Sequence, residues 1–123
     1  MLKNLLIVGL GGGIGSMARY SVSLFISFTD FPTPTFLINI TGSLIIGFLF
    51  GLGFRDSFPG WKLFLVIGIC GGFTTFSAFS FENLSLLQNG KYFLAFLYIS
   101  LSVIFGIAAA FLGMKLGEIL KLY

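Results

Sequence analysis

The sequence predicts an all-α membrane protein, with four transmembrane helices in a single integral membrane domain, residues 1–123. The chain is 57% hydrophobic and 9% charged, with a mean hydropathy of +1.07. A soluble domain of this size cannot bury so much apolar surface, because small domains have a high ratio of surface to volume. The apolar residues also form runs at about 5–28, 35–54, 61–87 and 92–116, each close to or above the roughly 20 residues that a helical span needs.

Turn-forming residues separate the four runs, which supports this division. They are Asp30, Pro32 and Pro34 after the first run, Arg55 to Gly60 with Pro59 after the second, and Asn89-Gly90 after the third. The first run is too long for a secretory signal peptide and contains Arg19 in place of a small-residue cleavage site.

The first span is rich in glycine and contains one charge. Gly9 and Gly13, and Gly11 and Gly15, form overlapping GxxxG pairs, which predict close helix packing in lipid. Arg19 lies about two-thirds of the way along the span. An arginine at mid-membrane costs roughly 2.5–3.5 kcal/mol on insertion scales. We therefore expect it to be paired, to face water or to snorkel to the interface.

The second span contains Asn39, the only amide in the middle of a predicted span. Two interpretations stay open: a hydrogen bond between helices, or an NH₂ donor that faces a pore. Gly47 and Gly51 predict a second close-packing face.

The third span contains the stretch GGFTTFSAF, from Gly71 to Phe79. Paired glycines and threonines disfavour a continuous helix, and a broken helix in a membrane is tolerated only where it faces protein or water. Such breaks recur at ion sites, so we expect a broken third helix at an ion site. Phe76 and Phe79 have i, i+3 spacing and share one face. Their positive ring edges can contact a small anion, although ordinary packing is the alternative.

Polar residues after the break suggest where a path would continue. Glu82 precedes the Asn89-Gly90 turn by about two helical turns, so we expect it in a wet vestibule. Tyr98 and Ser102 are at i, i+4 in the fourth span and face one way. Their hydroxyls either bond back to their own helix or line a path. Gly113 and Gly117 are expected to end this helix.

The composition does not support an enzyme or a transition-metal site. The chain has no histidine, one cysteine and four scattered carboxylates, so it offers neither a Ser/His/Asp set nor a metal-ligand cluster. We therefore predict a protein that is not an enzyme.

Basic residues are unevenly distributed between the two ends of the spans. The side that holds the termini carries Lys3, Arg55, Lys62, Lys115 and Lys121. The opposite side carries Lys91, and also Arg19 if that residue snorkels there. The positive-inside rule then predicts cytoplasmic termini.

Three of these stretches resemble the Fluc family of small fluoride channels, over nearly the whole chain. They are GGGIGSMARY in the first span, PTFLINITGSLIIGF in the second and GGFTTFSAFSFE in the third, which is the most specific. The resemblance implies fluoride as the permeant ion, the cell inner (plasma) membrane as the location, and a dual-topology antiparallel homodimer with two pores.

The resemblance also implies roles for individual residues. Phe76 and Phe79 would contact fluoride through ring edges, and Asn39 would be the pore amide. The hydroxyl donors would be Thr75, Ser77, Tyr98 and Ser102. The backbone carbonyls of Gly71 and Thr74 from both subunits would hold a structural Na⁺, and Arg19 and Glu82 would lie at vestibules.

Two features depart from the family pattern. Ala78 stands where many relatives have threonine, and the basic asymmetry favours one orientation, which leaves open a heterodimer with an oppositely inserted homologue. Two other functions also remain open. A proton-coupled four-span cation or multidrug exporter needs a membrane-embedded carboxylate, and a non-conducting assembly subunit needs only the glycine faces.

Overall fold

The computed structural model describes residues 1–53 and 60–121 and is helical with short connections over that part of the chain. The helices are α1 (Leu2–Phe25), α2 (Thr33–Gly51), α3 (Gly60–Lys62), a π-helical segment π1 (Leu63–Cys70), α4 (Gly71–Phe73), α5 (Phe76–Gln88) and α6 (Tyr92–Lys121). Four stretches, Leu2–Phe25, Thr33–Gly51, Gly60–Gln88 and Tyr92–Lys121, are long and apolar enough to cross a membrane. This confirms the prediction of an all-helical chain with four spans.

The helix bounds differ from the predicted spans in two ways. The first span begins and ends about one turn earlier than predicted, because Ile26 is already extended, with φ −110° and ψ 116°. The last helix continues to Lys121, so the expectation that Gly113 and Gly117 end it is wrong: both glycines are buried inside α6. The predicted end of the second span at Phe54, and the predicted loop residues Arg55 and Pro59, lie outside the described residues.

Glycines join α2 and α6 along a seam where backbone meets backbone. A Cβ added at Gly47 would collide with the carbonyl of Ala110, and one at Gly113 with the carbonyl of Leu44. The contact partner changes from Ala110 at Gly47 to Met114 at Gly51. Because residue numbers rise together along the two helices, α2 and α6 run parallel. The last two glycines of the chain therefore pack against α2, where a side chain would not fit.

A second glycine seam joins α1 to the third span. A Cβ on Gly11 would lie 2.9 Å from the Cα of Gly68, and one on Gly72 would lie 2.9 Å from the Cα of Gly12. These helices also run parallel, as expected when four spans alternate in direction. Gly9 and Gly13 have no atom within 4 Å of such a Cβ, so within the described chain only the Gly11 and Gly15 face packs.

The interior is small for the length of the helices. One cluster joins Leu49, Val66 and Cys70, and another joins Leu86, Ala95 and Tyr98. Large apolar side chains remain exposed on the outer faces, among them Leu10 at 68% and Ile107 at 68%. Such a surface suits lipid, which leaves the polar groups near the middle of the spans as the part of the molecule that requires a functional account.

Candidate functional site

The third span changes backbone conformation at Thr74 and Thr75. The helix ends at Phe73, Thr74 has φ −82° and ψ 157°, Thr75 has φ −150° and ψ 121°, and a new helix starts at Phe76. Thr75 caps this helix, because its Oγ1 accepts from the backbone N–H of Ala78 at 3.2 Å. Ser77 Oγ lies 3.2 Å from Thr75 Oγ1, which places the hydroxyl of Ser77 beside the cap.

Asn39 from α2 engages both backbone groups of Thr75. Its Nδ2 donates to the Thr75 carbonyl at 3.1 Å, and its Oδ1 accepts from the Thr75 N–H at 2.9 Å. Of the two interpretations that the sequence left open, the structure contains the hydrogen bond between helices. An amide nitrogen carries two N–H groups, so one further donor remains.

These contacts deprive two carbonyls of the donors that a continuous helix would give them. The N–H of Thr75 would donate to the Gly71 carbonyl four residues earlier, but it donates to Asn39. The N–H of Ala78 would donate to the Thr74 carbonyl, but it donates to Thr75 Oγ1. The carbonyls of Gly71 and Thr74 are thus free of their usual helical donors.

A cavity of about 400 Å³ lies beside the extended residues. Segments of α2, the third span and α6 form its walls: Asn39, Gly42, Ser43, Ile46, Val66, Cys70, Gly71, Thr74, Thr75, Phe76, Phe79, Ser102 and Val103. No carboxylate or cationic side chain is among these residues. The cavity therefore brings together most of the predicted path residues and both predicted Na⁺ ligands, in a lining without charged side chains.

The hydroxyls at this cavity differ in what they can still donate. Ser43 Oγ donates to the Asn39 carbonyl at 2.8 Å, and Thr74 Oγ1 donates to the Cys70 carbonyl at 2.9 Å. Both protons are therefore occupied by the helix backbone. Ser102 Oγ is buried and has no hydrogen-bond partner among the described residues. The Thr75 hydroxyl can donate to Ser77 Oγ at 3.2 Å. Ser102 is thus the hydroxyl in this lining whose proton has no acceptor among the described residues.

Three aromatic rings continue from the cavity toward the end of α5. The ring centroids of Phe76 and Phe79 are 5.9 Å apart, and Phe79 meets Tyr98 edge to face at 4.9 Å. Phe76 is 79% exposed in the single chain, whereas Tyr98 is fully buried. The two phenylalanines thus sit side by side at the cavity edge, as their spacing predicts, and Tyr98 lies behind them.

Glu82 is half-buried and accepts hydrogen bonds from two hydroxyl groups. Its Oε1 accepts from Thr35 Oγ1 at 2.5 Å, and its Oε2 accepts from the Tyr98 hydroxyl at 2.7 Å. The hydroxyl of Tyr98 is therefore directed to Glu82 and not to the cavity. Sequence reasoning did not single out Thr35, since a threonine in the first turn of a helix after proline gives no signal of a partner 47 residues away.

Arg19 contacts the third span just before the extended residues. Its Nε donates to the Gly72 carbonyl at 3.2 Å, and the residue is half-buried. Of the options that the sequence left open, the structure contains a paired arginine. A cation there also suits the carboxyl-terminal end of the helix that finishes at Phe73.

The amino-acid sequence is similar to one family model and to several named proteins. The family model described as "CrcB-like protein, Camphor Resistance (CrcB)" matches residues 6–114. A protein of Azobacteroides pseudotrichonymphae named fluoride-specific ion channel FluC is 46% identical, over 96% of this chain and 98% of its own length. Listeria monocytogenes has a protein named fluoride-specific ion channel FluC 1, which is 45% identical over 95% of this chain and 99% of its own length. A protein of Pyrococcus abyssi named fluoride-specific ion channel FluC is 44% identical over 95% of this chain and 98% of its own length.

Proposed function

This chain belongs to the family of CrcB-like proteins, and from that premise we propose that it is a fluoride-selective channel of the cell inner membrane. It would let fluoride cross passively and would carry out no reaction. The observation that carries the proposal is the cavity at Thr74 and Thr75, which combines unoccupied donors with aromatic edges and lacks a carboxylate in its lining.

Fluoride is small and strongly hydrated, so a selective path must replace its water with donors. Three kinds of donor remain unoccupied along the cavity wall. They are the second N–H of Asn39, the hydroxyl of Ser102 and the ring edges of Phe76 and Phe79. Ring edges carry partial positive charge, and the guanidinium of Arg19 adds positive potential nearby. This set favours a small anion over a cation.

A structural Na⁺ would suit the freed carbonyls. Gly71 and Thr74 line the cavity, and their carbonyls lack the donors of a continuous helix. Hard cations are bound by oxygen ligands, and an unsatisfied carbonyl costs several kcal/mol in lipid, on the order of a lost hydrogen bond or more. When bound, the ion would be coordinated by these carbonyl oxygens and would add positive charge beside the anion path.

The dimer is proposed on the same grounds. Gly71 is exposed and Phe76 is 79% exposed at mid-span in the single chain. A backbone carbonyl cannot face lipid, so a second protein surface should cover this region. An antiparallel copy related by a two-fold axis in the membrane plane would bring two breaks together and place one pore on each side of them.

Fluoride flux from liposomes tests the proposal. Purified protein is reconstituted into liposomes loaded with potassium fluoride or potassium chloride, and a potassium ionophore starts the efflux. We expect rapid fluoride efflux without a proton gradient and no chloride efflux above protein-free liposomes. Fluoride efflux that needs a proton gradient would instead favour an exporter, and absence of efflux would favour a non-conducting subunit.

A further inference from the structure

We propose that Asn39 is a positioning residue as well as a donor: its amide pairs with both backbone groups of Thr75, as a neighbouring β-strand would. The pairing fixes the extended conformation at the break, and it also fixes which edge of the amide faces the cavity.

The backbone geometry explains why one amide can make both bonds. In an extended residue the N–H and the C=O project to the same side, so a neighbouring strand can exchange both bonds with it. Thr75 has this conformation, with φ −150° and ψ 121°. The two hydrogen bonds to Asn39 measure 2.9 and 3.1 Å, which is ordinary length for N–H donors. In a helix these two groups point in opposite directions along the axis, and a single amide could not reach both.

The same pairing fixes the orientation of the amide. A flipped amide would place Oδ1 against the Thr75 carbonyl and Nδ2 against the Thr75 N–H, which opposes two acceptors and two donors. In the observed orientation the carbonyl oxygen is occupied by Thr75 and the second N–H of Nδ2 is left over. The pairing therefore acts as a clamp and leaves this second N–H as a spare donor of Asn39, which lines the cavity.

Gly42 makes the close approach possible. It lies three residues after Asn39 and shares its helix face. A Cβ at Gly42 would collide with Cγ2 of Thr74 and lie 3.5 Å from Cδ2 of Phe73. The backbone of α2 therefore lies close to the extended residues Thr74 and Thr75. A side chain as short as asparagine can then reach the backbone of Thr75.

Asn39→Asp tests the clamp, because aspartate is isosteric with asparagine and its protonation state can be set. The carboxylate offers no proton to the Thr75 carbonyl. The protonated acid offers one O–H and one carbonyl oxygen, which can make the same two bonds. We expect a lower Tm than the parent at about pH 8, and recovery of most of that loss at about pH 4, close to the ordinary carboxyl pKa of about 3.9. A carboxyl group that binds its proton more tightly in the folded state regains stability as the pH falls toward that value. Asn39→Ala should lose Tm at both pH values.

The parent measured in parallel accounts for the other titratable groups. Arg19 contacts the third span from α1, Cys70 lines the cavity from π1, and Glu82 and Tyr98 lie on α5 and α6. All four are unchanged in the variants, so only the difference from the parent is interpreted.

Fluoride flux provides a second readout, which rests on the proposed function. At about pH 8 the carboxylate of Asn39→Asp has no N–H or O–H to donate, so its fluoride flux should fall below the parent's. Protein-free liposomes measured at the same pH correct for leak. A Tm loss in Asn39→Asp that acid does not reverse, or a parental Tm in Asn39→Ala, would overturn the clamp. If instead the proposed function is wrong, the parent itself will conduct no fluoride while the thermal result stands.

Discussion

The hydroxyl of Ser102 offers a direct test of which groups serve the anion. It is buried at the cavity and has no partner among the described residues. A buried polar group without a partner costs about 1–3 kcal/mol, so evolution would be expected to remove it unless it serves a ligand. Ser102→Ala deletes this hydroxyl and leaves the helix unchanged, since alanine is the best helix former.

The expected result is a loss of flux without a loss of stability. A hydrogen bond to a charged group contributes about 1.5–3 kcal/mol, and about 1.4 kcal/mol corresponds to a factor of ten. If the bond forms where fluoride meets its barrier, efflux should fall roughly 10- to 100-fold. The Tm should stay equal to the parent's or rise, because the uncompensated hydroxyl is gone.

Ser43→Ala is the matched control for this test. Ser43 lines the same cavity, but its proton is already donated to the Asn39 carbonyl. Its removal costs only an intrahelical bond, a net effect of about 0.5–1.5 kcal/mol, and flux should stay close to the parent's. Parental efflux in Ser102→Ala, or an equal loss in both variants, would refute this account of the hydroxyls.

Two further substitutions test the aromatic wall and the glycine seam, each against a control. Phe76→Ile removes a ring edge at the cavity and should lower fluoride efflux with little change in Tm. Phe96→Ile, at an exposed position of α6, should leave fluoride efflux unchanged. Equal efflux from the two variants would argue against the ring-edge contact. Gly113→Ala would force a Cβ against the carbonyl of Leu44, and since overpacking costs about 1–3 kcal/mol, the Tm should fall. Gly13→Ala, where an added Cβ meets nothing within 4 Å, should leave the Tm of the subunit fold unchanged, and a larger loss there than at Gly113 would contradict the seam.

The sequence predicts the four spans well because their signal is local and strong. Long apolar runs with turn residues between them have few other interpretations, and the structure confirms four spans. The i, i+3 spacing of Phe76 and Phe79 likewise fixes their shared face once a helix starts there. Glycine roles were harder to predict, because GxxxG spacing does not reveal which face meets a neighbour: Gly11 packs while Gly9 does not.

The hydrogen-bond partners at the site could not be predicted, because they depend on contacts far apart in the chain. Asn39 and Thr75 are 36 residues apart, and Thr35 and Glu82 are 47 apart. The sequence shows that Asn39 and Tyr98 are polar residues in apolar spans, but not which partners satisfy them. The structure therefore adds what the sequence lacks: it shows which donors already make hydrogen bonds within the protein and which remain for a ligand.

Membrane orientation is where sequence and proposed assembly conflict. Lys3, Lys62, Lys115 and Lys121 lie at the ends of spans on one side and Lys91 at the other, which favours a single orientation. Against this bias stands the freed backbone at Gly71 and Thr74, which a second copy of the chain would cover.

We expect the antiparallel homodimer to form despite the charge bias, because two uncovered breaks cost more than a modest basic asymmetry. Single cysteines at Leu2 and at Asn89, each in a Cys70→Ala background, mark opposite ends of the spans in cells that make only this chain. A membrane-impermeant thiol reagent should label part of each population from outside and the remainder only after permeabilisation. If Leu2→Cys were labelled from one side alone and Asn89→Cys from the other alone, every copy would share one orientation. The antiparallel homodimer would then be wrong, and an oppositely inserted homologue would be needed to cover the break.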